Sequence, residues 1–384
     1  METPIRRRWL RGAVAAGVAL ALAATPAVTP SAHAAPAAAA SQLASFAVGR
    51  DGRLYAATPE GLTPYGSTVV GPPGAGISAV RQEDGNLAVF TVGTRGELLA
   101  TVTNSAGSGV TVYSYGAGLA PPGARVSAVT DPVGSVHAFF VGSDGAIYGK
   151  SYTGAVLPGA GPQRISEPGL APPGATVAAA WRSSLPGVVF VGVDGGLNSV
   201  WRTSAGTWTT VPASPAGLAP PGGGVAAVST AGAQAYFAGL DGRLWQVGFA
   251  GGALPDPWTP VAISAVGVVP AGARLAAARP VGGPTSVFFA GADGAVRVVT
   301  NLTGSWVESA TTPARIARPG GPLSVVALGD YLYTSWCGNG LWWWLFWWWR
   351  RPPPPPPPWY GETLSFRQIY PVDYGAEVAV TAYR

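Results

Sequence analysis

This sequence has very little of several residues on which common protein chemistries depend. Its 384 residues include one cysteine (Cys337), one lysine (Lys150) and two histidines. A single cysteine excludes an intrachain disulfide. Charged residues make up only 11% of the chain, with no clustered Lys/Arg face of the kind that binds nucleic acid. Stability must therefore come from packed apolar sheets rather than from covalent links.

Catalytic motifs are equally scarce. Beyond the first 34 residues the only histidine is His137, which lies in an apolar run, and no G-x-S-x-G, HExxH or CxxC pattern occurs. Cys337 has no second histidine to activate it. The glutamates occupy unrelated positions, so no carboxylate pair suited to glycoside hydrolysis is evident. The sequence predicts a protein that is not an enzyme and needs no metal or cofactor.

The first 34 residues have the pattern of an export signal. A basic stretch (Arg6 to Arg11) is followed by an apolar Ala/Val/Leu run and by Ala32-His33-Ala34, an A-x-A cleavage site. The arginines fit either a general secretory or a twin-arginine signal, and an uncleaved anchor is a third interpretation. Cleavage would remove four arginines and one glutamate, lowering the net charge from +5 to +2. We expect a secreted protein cleaved near Ala34, with an Ala-rich spacer over 35–42.

A block of roughly fifty residues recurs six times after this spacer. Its most regular feature is Phe-x-x-Gly or Phe-x-Gly followed by x-Asp-Gly, as in Phe140 to Tyr148. Fixed periods of this length indicate a repeat architecture. Apolar runs meeting at Asp-Gly predict a hairpin with a type I′ turn. A Pro-Gly turn and a short apolar strand precede this hairpin, and a weaker fourth strand follows it. Each period therefore predicts one four-stranded propeller blade.

The turn aspartates are the most regularly spaced acids of the chain. They invite a calcium or catalytic interpretation, but Asp also suits this turn because its side chain bonds its own backbone. Arg95 occupies the equivalent place in the second repeat, which a metal ligand would not tolerate but a turn can. We therefore predict a structural role. The equivalent residues are Asp51, Asp144, Asp194, Asp241 and Asp293.

The ends of the repeat array predict how the ring closes. The first hairpin, 46–55, has no strand before it, and Leu323–Leu328 follows the last Pro-Gly turn without partners. Joining them gives an all-β propeller of six four-stranded blades over 43–335, closed by pairing of N- and C-terminal strands. A seven-bladed ring is the alternative if 331–336 and the tail, 361–384, supply the missing strands.

Residues 336–360 interrupt the pattern with a Trp-rich run, seven prolines and Trp359-Tyr360. The apolar run is too short to span a membrane, although Trp favours membrane interfaces. Three interpretations stay open: a product of a shifted reading frame, a segment that adheres to a membrane or partner, and buried structure.

Aromatic residues are the main candidates for ligand binding. One recurring phenylalanine per repeat (Phe46, Phe90, Phe140, Phe190, Phe237, Phe289) is predicted to pack in the core. The tryptophans vary between repeats, and two precede arginine. An aromatic face beside a guanidinium suits a sugar or a carboxylate, whereas packing on the next blade is the structural alternative. The candidate binding residues are Trp181, Arg182, Trp201, Arg202, Trp208, Trp245, Trp258, Trp306, Tyr55 and Tyr148.

The repeated F-x-V-G-x-D-G-x-L-Y/W with a later Gly/Ser-x-Trp resembles tectonin-type and other bacterial β-propeller lectins, and secreted actinobacterial repeat proteins. The resemblance covers about residues 43–335. It implies sugar sites between adjacent blades, with Tyr55, Tyr148 and Trp245 at the aromatic after the turn, Trp201 three residues further on, and Trp208, Trp258 and Trp306 on the outer strand. Leu99, Asn198 and Arg297 depart from the first of these positions.

These observations predict an exported, non-enzymatic propeller that binds glycans, such as cell-surface polysaccharide, weakly and multivalently, because repeated shallow sites gain avidity together. The alternative is a protein-interaction scaffold without sugar specificity. Nucleic acid is not an expected partner, and membrane contact is expected only if the Trp-rich segment is genuine protein sequence.

Overall fold

The computed structural model describes residues 42–58, 61–103, 109–154, 159–229, 232–249, 259–302, 304–328, 331–338, 341–348, 361–365 and 378–383. All of them belong to one compact unit, Ala40–Arg384. The predicted signal, the spacer up to residue 41, Trp258 and most of the Trp/Pro segment lie outside these residues. Among the described residues, no helix has the length and apolar character needed to cross a membrane.

The described strands form seven antiparallel sheets of four strands each, which we call blades 1 to 7. Blade 1 holds β1 (Gln42–Val48), β2 (Arg53–Thr58), β3 (Gly61–Val69) and β28 (Val378–Tyr383). Blade 2 holds β4 (Ile77–Arg81), β5 (Leu87–Val92), β6 (Leu98–Thr103) and β7 (Val110–Tyr115). Blade 3 holds β8 (Val126–Thr130), β9 (Ser135–Val141), β10 (Ile147–Thr153) and β11 (Gln163–Arg164). Blade 4 holds β12 (Val177–Arg182), β13 (Leu185–Val191), β14 (Leu197–Arg202) and β15 (Trp208–Pro212).

The remaining three blades continue the same order along the chain. Blade 5 holds β16 (Val225–Ser229), β17 (Ala233–Ala238), β18 (Leu244–Phe249) and β19 (Val261–Ala262). Blade 6 holds β20 (Leu275–Ala278), β21 (Ser286–Ala290), β22 (Val296–Leu302) and β23 (Ser305–Ala310). Blade 7 holds β24 (Leu323–Leu328), β25 (Tyr331–Gly338), β26 (Leu341–Trp348) and β27 (Gly361–Ser365).

The innermost strand is the first strand of the blade in blades 2 to 7 and β28 in blade 1, and neighbouring innermost strands contact one another in a closed ring around a central channel. Blade 1 is completed by the end of the chain, because β28 pairs with β1 from Gln42↔Tyr383 to Ala47↔Val378. β28 also contacts the innermost strands β4 and β24 on either side. The all-β propeller and its closure by N- and C-terminal strands are therefore confirmed.

The blade count and the closing strand differ from the six-bladed prediction. There are seven sheets, the second of the two alternatives. The prediction that Leu323–Leu328 closes the ring is wrong, because this strand pairs with Tyr331–Gly338 and begins a separate blade. The Trp-rich segment and the tail supply its two outer strands, β26 and β27. The ring thus uses strands well beyond residue 335.

The Asp-Gly turns have a different geometry from the predicted type I′ turn. Gly145 has φ +74° and donates to the Gly142 carbonyl, while Gly142 donates to the Ala146 carbonyl. Asp144 itself has no positive φ, since the only non-glycine residues with positive φ in the described chain are Ser183, Ser184 and Arg315. This is a three-residue loop, a type I turn closed by a left-handed glycine. The type I′ conformation occurs instead at Ser183-Ser184, between the paired residues Arg182 and Leu185.

The turn aspartates fix these loops through their own backbone. Asp144 Oδ1 accepts from the Ala146 N–H at 3.0 Å, and its Oδ2 accepts from the Tyr148 hydroxyl at 3.1 Å. The same backbone bond recurs at Asp51, Asp194, Asp241 and Asp293. In the part of the chain that the structure describes, no group of three or more His, Cys, Asp or Glu side chains could hold a metal ion. These contacts support the structural interpretation of the aspartates.

We expect Asp144→Asn to cost less than about 1 kcal/mol of unfolding free energy, because an amide oxygen can accept the same backbone bond and Asn suits this turn. Denaturant titration of both proteins measures the difference. Asp144→Ala, which removes both bonds, is the control and should cost more. Loss of ligand binding by a fully folded Asp144→Asn variant would contradict the structural role.

The recurring phenylalanine occupies two positions rather than the single one predicted. Relative to the following glycine, Phe46 and Phe90 stand three residues back, whereas Phe140 stands two back. Neighbouring strand residues point to opposite faces of a blade. Accordingly, Phe140 packs with Phe90 between blades 2 and 3, and the adjacent Phe139 packs with Phe190 between blades 3 and 4. All six phenylalanines are nevertheless fully buried, as predicted for core residues.

Candidate functional site

The aromatic residue that follows each turn is held by the turn itself. The Tyr148 hydroxyl donates to Asp144, and its ring stacks on Phe140 with centroids 5.6 Å apart at 12°. Trp245 likewise donates from Nε1 to Asp241 at 3.3 Å and stacks on Phe237. Both rings are half-buried. One face and the polar edge of each ring are thus committed to the blade, which leaves at most the second face for a ligand.

Tyr55 in blade 1 makes the same hydrogen bond to its turn aspartate. Its hydroxyl donates to Asp51 Oδ2 at 3.0 Å, and partial burial raises its pKa, with the neighbouring carboxylate acting in the same direction. In blade 6 the aromatic is replaced by Arg297, which bonds Asp293 at 2.9 Å and Glu308 at 2.8 Å. The hydrogen bond from Arg297 holds the pKa of Asp293 below its usual range. In blades 1, 3, 5 and 6, the side chain three residues after the turn glycine therefore bonds the turn aspartate.

The outer-strand tryptophans pack against the preceding blade. Trp208 meets Phe139 of blade 3 edge to face, with centroids 5.8 Å apart, and Trp306 meets Tyr236 of blade 5 in the same way at 5.9 Å. Both are half-buried members of inter-blade clusters. Their contacts favour the structural alternative over ligand binding.

The two Trp-Arg dipeptides do not form the aromatic-guanidinium pairs that the sequence suggests. Instead, Arg182 lies over the ring of Trp201, with Cζ 5.3 Å from the centroid, and both side chains are buried. Arg202 is exposed at the end of β14. Trp181 points elsewhere and lines the central channel. The structure thus brings together Arg182 and Trp201 as a packing pair.

His137 is engaged in a buried polar chain. Its Nε2 lies 3.1 Å from Asp131 Oδ2 and its Nδ1 lies 2.8 Å from Ser151 Oγ. Burial lowers the pKa of His137, with the Asp131 carboxylate opposing that shift. His137 on β9 is paired with Ser151 on β10. The equivalent pair in blade 6 is Ser286 and Thr300, whose hydroxyls are hydrogen-bonded to each other. We interpret this chain as a cross-strand link that satisfies a buried histidine.

The sequence analysis missed a cleft between blades 1 and 2. It has a volume of about 480 Å³ and lies between the outer strand of blade 1 and the outer half of blade 2. Arg95 and Glu97 stand at one end, where Glu97 Oε2 accepts from the Arg95 N–H at 2.8 Å and its Oε1 lies 3.3 Å from Arg95 Nε. Glu97 thus performs the turn role of the missing aspartate. The other lining residues are Gly66, Ser67, Thr68, Val69, Leu99, Val110, Val112 and Ser114.

This cleft combines a fixed carboxylate with a guanidinium that is paired with it through Nε. The Glu97 side chain is 7% exposed and the Arg95 side chain is 71% exposed, so the carboxylate lies at the base and the arginine at the rim. Leu99 stands where blades 1, 3 and 5 carry Tyr55, Tyr148 and Trp245. A smaller side chain at this place leaves room between the blades. The signal was present in the sequence as the departure of the second repeat at Arg95 and Leu99.

Comparison with solved structures places this fold among sugar-binding proteins. The BP39L lectin from Burkholderia pseudomallei matches with a TM-score of 0.72 and 28% identity, over 79% of this chain and 91% of that one. Several of the matching structures, including BP39L, are lectins. The SapL1 lectin, solved with α-methyl fucoside, matches with a TM-score of 0.52 and 16% identity, over 71% of this chain and 92% of that one. The second likeness is one of fold alone.

Comparisons at the level of sequence families add nothing to this result. No protein-family model matches the chain, and no curated protein matches it. The similarity to lectins supports the predicted lectin-like propeller and is consistent with a protein that is not an enzyme.

Proposed function

We propose that this chain is a secreted, non-enzymatic propeller that binds carbohydrate weakly in clefts between its blades and gains avidity by engaging one glycan surface at several of them. The cleft between blades 1 and 2 is its principal site. The observation that carries this proposal is the pairing of Arg95 with the buried carboxylate of Glu97 in a cleft of about 480 Å³, within a fold similar to that of BP39L lectin.

The chemistry of the cleft suits a sugar. A carboxylate accepts hydrogen bonds from two neighbouring hydroxyls, and a guanidinium donates to two acceptors in a fixed fork. The hydroxyls of Ser67, Thr68 and Ser114 add further partners. Exposed Val69 and Val110 offer apolar surface for the C–H faces of the ring. Pockets of several hundred Å³ with a few placed polar groups are typical of small-ligand sites.

The shallow cleft predicts low affinity for each sugar. Multivalency then provides the useful binding strength, because linked sites convert later binding events into intramolecular ones. The half-exposed rings of Tyr148 and Trp245 lie at the equivalent place in blades 3 and 5. The free faces of these two rings are therefore the proposed secondary sites.

A glycan array on the purified chain identifies the ligand, and calorimetry with the best monosaccharide, starting with α-methyl fucoside, measures one site at a time. We expect Arg95→Ala to weaken binding at least about tenfold, since a charge-assisted hydrogen bond contributes about 1.5–3 kcal/mol. Glu97→Gln keeps an acceptor for the Arg95 N–H and should fold normally while losing affinity.

Arg318→Ala is the matched control, because Arg318 is an exposed arginine on the loop before blade 7. It should bind as the parent chain does. A folded chain that binds no glycan would contradict the proposed function. Unchanged affinity in both cleft variants would instead place the site elsewhere on the propeller.

A further inference from the structure

The central channel is a second cavity, separate from the clefts. It has a volume of about 660 Å³ and is lined by the innermost strands of blades 2 to 7. Small side chains such as Ala79, Ala128, Ala179, Ala227 and Ala277 form its middle level. A channel walled by alanine leaves space that a side chain would otherwise fill. The larger residues near its ends therefore decide what can enter.

Among the described residues that line this channel, Trp181 is the one with an aromatic side chain. It is partly exposed, and within the described part of the chain its indole packs on no other aromatic ring, unlike Trp208, Trp245 and Trp306. Its backbone N–H donates to Ser229 Oγ on blade 5 at 2.9 Å, which fixes the strand that carries it. The indole thus offers a face to the channel from a rigid wall.

Arg279 stands at the same level of the ring on blade 6. Trp181, Ser229 and Arg279 each come four residues after the first residue of their innermost strand, on three successive blades. Arg279 is exposed, and its Nε donates to the Gly283 carbonyl at 2.9 Å. That bond orients the guanidinium and leaves its two terminal nitrogens as donors. An aromatic face, a hydroxyl and an oriented cation therefore share one mouth of the channel.

The charge of the channel favours an anion. Arg125 and Arg274 line it towards the opposite end, each directly before an innermost strand. No carboxylate occurs among the described lining residues. Two acidic residues, Glu83 and Asp131, lie near the mouth that Trp181 lines, but they line a different pocket between blades 2 and 3. Asp131 is also already bonded to His137.

We propose that this mouth of the channel binds a carboxylate-bearing monosaccharide, such as a hexuronate. The C–H face of the sugar packs on Trp181, its carboxylate binds Arg279, and Ser229 bonds a ring hydroxyl. This extends carbohydrate binding to a second site and to an anionic sugar, and it uses none of the residues of the cleft between blades 1 and 2.

The test is titration of the full chain with D-glucuronate and with D-glucose, its neutral counterpart, followed by saturation-transfer NMR. We expect the parent chain to prefer glucuronate by about fivefold or more, as one charge-assisted contact provides. Arg279→Gln should abolish that preference, whereas Arg318→Gln should keep it. Trp181→Ala should weaken both sugars about tenfold, and Trp181→Phe should restore most of the affinity.

The results that overturn the proposal are equally specific. They are a parent chain without preference for glucuronate, a preference that survives Arg279→Gln, and glucuronate binding untouched by Trp181→Ala. Displacement by acetate at the same concentration as glucuronate would overturn the assignment of a sugar ligand. Loss of glucuronate binding in Glu97→Gln but not in Arg279→Gln would move the sugar to the cleft, overturning the channel site while leaving the proposed function intact.

Discussion

Deletion of residues 378–384 will abolish the folded, soluble monomer. β28 is the innermost strand of blade 1, paired with β1 over six residue pairs and in contact with β4 and β24. Its loss removes one segment of the closed inner ring and exposes an unpaired strand edge on β1, which favours aggregation. Size-exclusion chromatography and thermal unfolding of the truncated chain measure the effect.

The matched control is deletion of Arg384 alone, which leaves every residue of β28 in place and should keep the parent melting temperature. A chain lacking residues 378–384 that stays monomeric and melts cooperatively near the parent temperature would contradict the closure. That result would mean that β28 is not needed to hold the ring together.

Trp201→Ala is the single substitution for which we expect the largest loss of stability, about 3–5 kcal/mol, because it empties a fully buried aromatic site. Trp201 is 0% exposed, packs on Phe249 with centroids 5.3 Å apart and lies under the Arg182 guanidinium. Gly187 on the neighbouring strand leaves the space for it, since a Cβ there would overlap the indole. Urea denaturation of parent and variant gives the difference.

Two variants separate packing from polar effects at this position. Trp201→Phe should cost far less than Trp201→Ala, because the buried indole N–H has no hydrogen-bond partner to lose among the residues that the structure describes. Trp208→Ala removes a half-buried ring on the outer strand of the same blade and should also cost less. A Trp201→Ala variant within about 1 kcal/mol of the parent would contradict the buried packing role.

The repeat array was sufficient to predict the class of fold and the closure of the ring by N- and C-terminal strands, but not which C-terminal strand closes it. Asp-Gly turns and apolar runs encode each blade locally, so a fifty-residue period identifies the propeller. Closure pairs Gln42–Val48 with Val378–Tyr383, segments at opposite ends of the repeat array. Nothing local in a sequence specifies such a partner. The Trp-rich and proline-rich stretch also interrupted the pattern within blade 7, which made Leu323–Leu328 resemble the closing strand.

The binding residues were harder to predict than the blades. The sequence does not distinguish a tryptophan that packs between blades from one that faces a channel. A shift of one residue along a strand moves the side chain to the opposite face of the sheet. Trp201 on β14 and Trp181 on β12 show the two outcomes within blade 4. The cleft at Arg95 was missed for a different reason. Its signal was the departure of the second repeat at Arg95 and Leu99, but such a departure does not by itself show that the missing ring leaves a cavity.

The most direct test of the account is a crystal structure of the full chain soaked with the glycan that binds best on the array. We predict sugar density between β3 and β7, hydrogen-bonded to Arg95 and Glu97, in a ring of seven blades closed by Val378–Tyr383. Density confined to other surfaces, with the cleft between blades 1 and 2 empty at saturating sugar, would contradict the proposed site and with it the central claim.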